Sequence, residues 1–333
     1  APGEFERRWS EYALDFRGFT GFALPGFNVQ SSSDLEAGGY RVSFNGVTIV
    51  SAFAPLDCIF LEINPSLSEI LGLSVVAESR HPVSGGACFW THNTLANRAS
   101  CEAAGFRVYD FLDVLALRLG TYFRRNPELL LSVSEIYSRL KEIESNQPGF
   151  LSDLLEGGFM NVSRVSEVMQ QLIREGVNVK RFPNVLEALG AYSATYGSQL
   201  SKEGEFDLSD VVSYVRLSQR KQILGSVLTA RRTIRGCFLS DQVQEIFSSF
   251  FLEAPTSSPK LSTRDFERLR VGFESSLQSI KQRGVLPVAV ICPSEIRSQV
   301  SWFLRQVQGE MPLICREELE PMIEIEPLAA WSV

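Results

Sequence analysis

Residues 174–189 read REGVNVKRFPNVLEAL, a glycine-broken junction between two helical patterns. Upstream of it Val165, Val168, Met169, Leu172 and Ile173 recur in steps of three and four, which marks the inner face of an amphipathic helix. Asn161 stands where a capping side chain is wanted, and Gly176 where the chain leaves the helix through left-handed backbone. Val177 to Val179 is strand-like, and a second helix is expected from about Pro183 to Tyr196. Further out, Ser132 and Glu135 have capping-box spacing ahead of Ile136, Leu140 and Ile143, and Asp207 caps a longer helix through Leu228. The section is therefore helical and winged-helix-like. A DNA-reading face is not expected, because Lys180, Arg181, Arg231 and Arg232 are too sparse on an acidic chain.

Toward the N-terminus, Phe5, Trp9, Tyr12 and Phe16 place aromatics on one side of an opening packing helix. Tyr40 to Val50 alternates around Asn45-Gly46, the strongest short hairpin signal. A strand over Cys58 to Ile63 is closed by Asn64-Pro65, and Ser66 to Asp110 then reads as short helix, strand near 74–78, loop 81–86, strand 87–91, helix 94–104 and strand 107–110. That is a small α+β unit inserted in the first domain. Phe111 to Arg125 is a helix stopped by Asn126-Pro127. Toward the C-terminus, 253–263 is rich in Pro and Ser and reads as a linker. A helix through Phe266, Leu269, Phe273, Leu277 and Ile280 follows, then strands at 288–291, 313–316 and 322–326 and a helix at 294–307. The expected class is α+β with several subdomains, the last of them α/β.

The 333 residues suit about two domains or several small ones, with 44% apolar and 21% charged residues, a folded composition rather than a disordered one. Lys plus Arg total 32 against 39 Asp plus Glu, and the formal charge of −7 repels phosphate backbones, so nucleic acid is not an expected partner. No uncharged stretch approaches ~20 apolar residues and the start has no signal-peptide pattern. Ala1 to Phe5, without an initiating Met, reads as a cloning remnant. Six scattered cysteines, with no Cys-x-x-Cys pair, fit reduced, buried thiols of a cytosol. His81 and His92 are too few for zinc and are expected to face solvent or satisfy local hydrogen bonds.

Phosphate loop, dinucleotide fingerprint, zincin and nucleophile-elbow patterns are absent. Glu317, Glu318, Glu320, Glu324 and Glu326 read as the wet face of an edge strand around Ile323 and Ile325, and Gly85-Gly86 as a tight loop. No cofactor and no metal are expected. The enzymatic alternative is an α/β enzyme with a cryptic site near Cys292 and Glu295.

The 174–189 segment after its amphipathic helix resembles the signature of the large export-gate component of type III secretion, the flagella/hypersensitive-response/invasion protein export pore family (FHIPEP). The hairpin at 40–50, Glu62-Ile63-Asn64-Pro65, His81-Pro82 leading to Phe89-Trp90, Gly105-Phe106 and the strand at 287–293 agree in order, so the likeness runs from about Trp9 to Val333. It implies the cytoplasmic portion of a longer inner-membrane protein of bacteria, not an enzyme. Four subdomains are implied: 4–57 with 111–131, the inserted 58–110, the helical 132–235 and the α/β 236–333. It further implies a nonameric ring that docks chaperone–effector complexes and the ATPase stalk protein alongside other export-apparatus membrane proteins, with subdomain rotations passing cargo to the channel. The implied partner cleft is at His81, Pro82, Ser84, Phe89, Trp90 and Leu117. Ser84 and Leu117 depart from the flagellar pattern and favour an injectisome member. Ring contacts are expected from Arg174, Glu175, Lys180, Arg181 and Arg216, read as solvated charges suited to a heterologous interface.

Overall fold

At the hairpin, Asn45 and Gly46 take φ of 49° and 80°, both positive, as a two-residue turn matched to strand twist requires. It joins β1 (Gly39–Phe44) to β2 (Val47–Phe53), a two-stranded antiparallel sheet with an irregularity at Val42/Ser43. The computed structural model describes residues 2–24, 26, 28–82, 85–126, 129–155, 158–203, 206–250, 261–282, 288–307 and 311–333. The chain divides into two compact units, one of 1–18 and 23–125, the other of 19–22 and 126–333.

In the first unit α1 (Pro2–Thr20) buries Trp9 and Phe16, and the half-buried Tyr12 stacks on Trp9 at 5.8 Å. A second sheet has the order β4-β5-β3-β6, from β3 (Cys58–Leu61), β4 (Ala77–Arg80), β5 (Ala87–His92) and β6 (Val108–Tyr109). Alternation sorts its faces: Phe60, Trp90 and Tyr109 pack with Val114, while Leu61 and Phe89 pack with Cys101. α2 (Leu95–Ala103), capped by Thr94, contributes Cys101, and α3 (Phe111–Arg125) contributes Val114. β4 begins later than the sequence implies, since the apolar pair Val75 and Val76 stays exposed.

The second unit begins with α4 (Val133–Asn146), α5 (Phe150–Leu155), α6 (Val162–Arg174), α7 (Phe182–Glu203), α8 (Leu208–Ser218) and α9 (Arg220–Gly225). The side chains of Ser132, Asn161 and Asp207 accept amides of the first turns they precede, and Gly176 takes a φ of 73°. Three expectations are corrected. Val177 and Val179 are buried in the helical core without forming a strand, and no strand occurs among the described residues of 129–232, so no wing accompanies the helices. α7 runs past Tyr196. The helix from Asp207 breaks at Gln219, where Gln219 and Gln222 turn their amides to the carbonyls of Asn184 and Asn178.

A parallel sheet closes the unit, ordered β10-β7-β8-β9, from β7 (Thr233–Leu239), β8 (Ala289–Cys292), β9 (Leu313–Cys315) and β10 (Glu324–Trp331). Both faces are covered, as parallel sheets require. Ile234, Ala289, Ile291 and Ile314 face the core of α4–α9, while Cys237, Val290, Cys292 and Leu313 face α10 (Asp241–Ser248), α11 (Thr263–Gln282) and α12 (Arg297–Val307). The expected boundary at 235/236 falls inside β7. The linker expected over 253–263 lies largely outside the described residues, and α11 starts at its last residue. The last strand is an edge strand, as the sequence implies, but extends to Trp331. The class is mixed α+β.

Candidate functional site

A cleft of about 420 Å³ opens within the first unit, and every residue lining it belongs to that unit. One wall is Ile49, Val50 and Ser51 of β2, and a second is Arg80, His81 and Pro82 at the end of β4. The third is a single stripe of α3, Arg118, Thr121, Tyr122 and Arg125, spaced three and four residues apart so that all face one way.

His81 is buried, contrary to the solvent-facing expectation, with its ring 6.2 Å from Phe60 and 5.9 Å from Tyr109, and Nε2 lies 3.7 Å from Glu62. Burial lowers its affinity for a proton; Glu62 opposes that and Arg107 adds to it, so the ring is neutral near pH 7. Its carbonyl accepts from Gly85, whose φ of 64° closes the tight loop. His92 is exposed.

Of the residues expected at a partner cleft, His81 and Pro82 line this one. Phe89 and Trp90 are buried on opposite faces of the sheet, and Leu117 packs partly buried with the Trp90 cluster rather than along the cleft wall. None of these three lines the cleft. Ser84 lies outside the described residues. Sequence reasoning missed Arg80, Arg118, Thr121, Tyr122 and Arg125, although the last four form a helical stripe. Arg118 Nε, Thr121 Oγ1 and Arg125 Nε are buried and meet no hydrogen-bond partner.

The expected ring charges divide differently. Lys180 and Arg181 are exposed. Arg174, Glu175 and Arg216 are buried, so they are not surface charges available to a neighbour, because their own chain encloses them. Arg216 donates to Glu318 through Nε at 2.5 Å and Nη2 at 3.0 Å, and to Glu175 through Nη1 at 3.2 Å. Arg297 donates through Nε to the same Glu175 oxygen at 2.8 Å. Two arginines and two carboxylates thus neutralise one another at the join of α6, α8, α12 and the sheet. Burial alone would raise the Glu175 pKa, but Arg297 and Arg216 overcome it and hold the carboxyl below its ordinary range. Glu318, expected on a wet strand face, is therefore the buried member of its series, whereas Glu317, Glu324 and Glu326 are exposed.

Cys292, nucleophile of the enzymatic alternative, faces Cys315 across β8 and β9. The Cys315 thiol and burial push it well above the ordinary thiol value, the reverse of an activated nucleophile. Among the described residues no group of three or more His, Cys, Asp or Glu is placed to hold a metal, and no helix is long and apolar enough to cross a membrane.

The chain joins an antiparallel unit with a lined cleft to a helical section fused to a parallel sheet; its residues 4–324 match the FHIPEP family, and the chain belongs to it. The flagellar biosynthesis protein FlhA of Caulobacter vibrioides is 22% identical over 311 residues, which are 92% of this chain and 42% of that protein. The chain thus spans about two fifths of the length of the curated relatives it matches. In solved structures, the chain matched in the Chlamydia pneumoniae CdsV and CdsO complex superposes with a TM-score of 0.74 at 17% identity, covering 98% of this chain and 91% of that one. Nonameric EPEC SctV-C gives 0.68 at 15%, covering 98% and 94%. These likenesses establish the shared fold.

Proposed function

We propose that this chain is the cytoplasmic docking platform of a type III secretion export gate, held by a full-length protein in a bacterial inner membrane. Nine copies close into a ring beneath the channel; chaperone–effector complexes dock at the clefts of the first unit, the ATPase stalk protein meets the C-terminal α/β part, and cargo passes on to the other membrane components. The reading includes the four-part division at 4–57 with 111–131, 58–110, 132–235 and 236–333, and the injectisome branch. The observation that carries it is the family match over residues 4–324. The nonameric state of EPEC SctV-C and the CdsV–CdsO complex support the ring and the protein partner.

Ring closure needs two different patches that meet head to tail. Exposed Lys180 and Arg181 are proposed for one of them, since Arg174, Glu175 and Arg216 are enclosed. Membrane tethering raises the local concentration of neighbours, so each contact is weak in isolation. The chain is expected to sediment as a monomer when dilute and to associate as concentration rises. A concentration-independent monomer into the millimolar range counts against the ring. Capture of a cognate chaperone–effector complex from purified components tests docking, and failure of the intact chain to capture any counts against it.

A further inference from the structure

We infer that the cleft of the first unit recognises an acidic, extended peptide segment, with Arg118 and Arg125 taking its carboxylates, Arg80 at the rim and the Thr121 hydroxyl at the wall. The inference rests on the docking reading and names the chemistry of what docks.

The first observation is unanswered positive charge. Several arginines elsewhere are closely paired: Arg8 with Asp110 and Asp113, Arg216 with Glu318, Arg270 with Glu267 and Glu274. Arg80, Arg118 and Arg125 line one cleft whose described lining contains no carboxylate. Burial pulls Arg125 below its ordinary value with no acid opposing the effect. A guanidinium desolvated in this way gains most from a carboxylate, which it grips with two parallel hydrogen bonds.

The second observation is the unspent hydroxyl. Thr121 is only 4% exposed, its Oγ1 has no hydrogen-bond partner, and it lies on the cleft stripe between the two arginines. A buried polar atom without a partner is costly unless a ligand satisfies it.

The third observation is a strand border. β2 pairs with β1 alone, so its second edge has no strand partner among the described residues. Consecutive strand side chains point to opposite faces, yet Ile49, Val50 and Ser51 all line the cleft, so the strand borders it along its backbone edge. Such an edge accepts an added strand through main-chain hydrogen bonds. Arg118 and Arg125 are seven residues apart, about 10.5 Å along the helix at 1.5 Å per residue. An extended peptide covers roughly 10 Å in three residues, so acids at i and i+3 match the two guanidinium groups. Main-chain pairing at the open edge of β2 favours a polypeptide over a phosphate polymer, which has no backbone amides to add to a strand.

The test is calorimetric titration of the whole chain with a short synthetic peptide carrying glutamates at i and i+3, with its glutamine counterpart, and with inorganic pyrophosphate. The glutamate peptide is expected to bind, more weakly as salt rises, and Arg118→Gln or Arg125→Gln to weaken it about tenfold each. Arg316→Gln, exposed in the other unit, is expected to change nothing. Equal binding of the glutamine peptide, indifference to both cleft substitutions, or pyrophosphate binding more tightly than the peptide at the same arginines overturns the inference. Should either variant unfold, salt-independent binding by the unaltered chain overturns it equally. Variants that lose the peptide while still capturing the chaperone–effector complex also overturn the acidic-docking role and leave docking standing. Peptide binding without any such capture by the intact chain supports the site and sinks the docking reading instead.

Discussion

Replacing Glu175 by Gln keeps the shape of a side chain that is entirely enclosed and removes its charge. In the folded chain Arg216, Arg297, Glu175 and Glu318 have side-chain exposures of 0, 1, 0 and 2%, and their charges sum to zero. Glu175→Gln leaves two buried guanidinium groups sharing one carboxylate. Breaking a buried pair by deleting one partner costs about 3–5 kcal/mol, because the stranded charge is not resolvated. For a unit of this size each kcal/mol moves the midpoint by about 2–4 °C, so the expected drop is roughly 6–20 °C. The assay is urea unfolding followed by tryptophan fluorescence, paired with calorimetry. Restoring neutrality with Arg297→Met in the same chain is expected to recover part of the loss, a non-additivity that identifies charge imbalance as the cause. A loss under about 1 kcal/mol at an unchanged denaturant slope would refute the reasoning, because it would mean that water reaches these groups.

The same carboxyl sets an acid limit. Its folded pKa lies below the unfolded one, so its contribution is complete above about pH 4.3 and disappears as pH falls through the lower folded value; the difference in unfolding free energy between the unaltered chain and Glu175→Gln, measured against pH, should shrink only on that acid side. Gly272→Ala is expected to cost about 1–3 kcal/mol in denaturation, because its Cβ would stand 1.9 Å from the Ser332 carbonyl oxygen and α11 would have to leave the end of β10. Trp331→Ala should cost about 3–5 kcal/mol by the same measurement, since the ring is fully buried against Phe273 at 4.8 Å and its Nε1 donates to the Leu269 carbonyl. The six cysteines are free and buried, with Cys88 and Cys237 pushed up to about 11, so thiol reagents at neutral pH should label them only as fast as the protein opens; rapid native labelling of Cys292 would revive a nucleophilic role.

What the sequence discloses is what short range determines. Asn45-Gly46, the caps Ser132, Asn161 and Asp207, and Gly176 each act within a few residues, and each stands where the sequence places it. Charge partners act across the chain. Arg216 finds Glu318 at a separation of 102 residues and Arg297 finds Glu175 at 122, so these groups read as solvated because charges ordinarily are. Glu318 was submerged in a run of acids whose other members do face water. The cleft is intermediate: the period of Arg118, Thr121, Tyr122 and Arg125 is visible in the letters, but solvated helix faces show the same period. Only the opposing wall of β2 and the end of β4 distinguishes them. Val75 and Val76 misled through composition: both stay exposed, and although the Val76 amide reaches the Trp90 carbonyl, the ladder with β5 begins only at Ala77.

The parallel sheet lends one face to the helices of 133–225 and the other to α10, α11 and α12, with four interlocked charges riveting the seam. Layers bonded in that manner behave mechanically as a laminate. A push delivered to α11 is expected to reach α6 as displacement of the whole slab, because sliding between plies would part the four charges. Whatever bending this molecule performs while at work must be absorbed somewhere other than that glued joint.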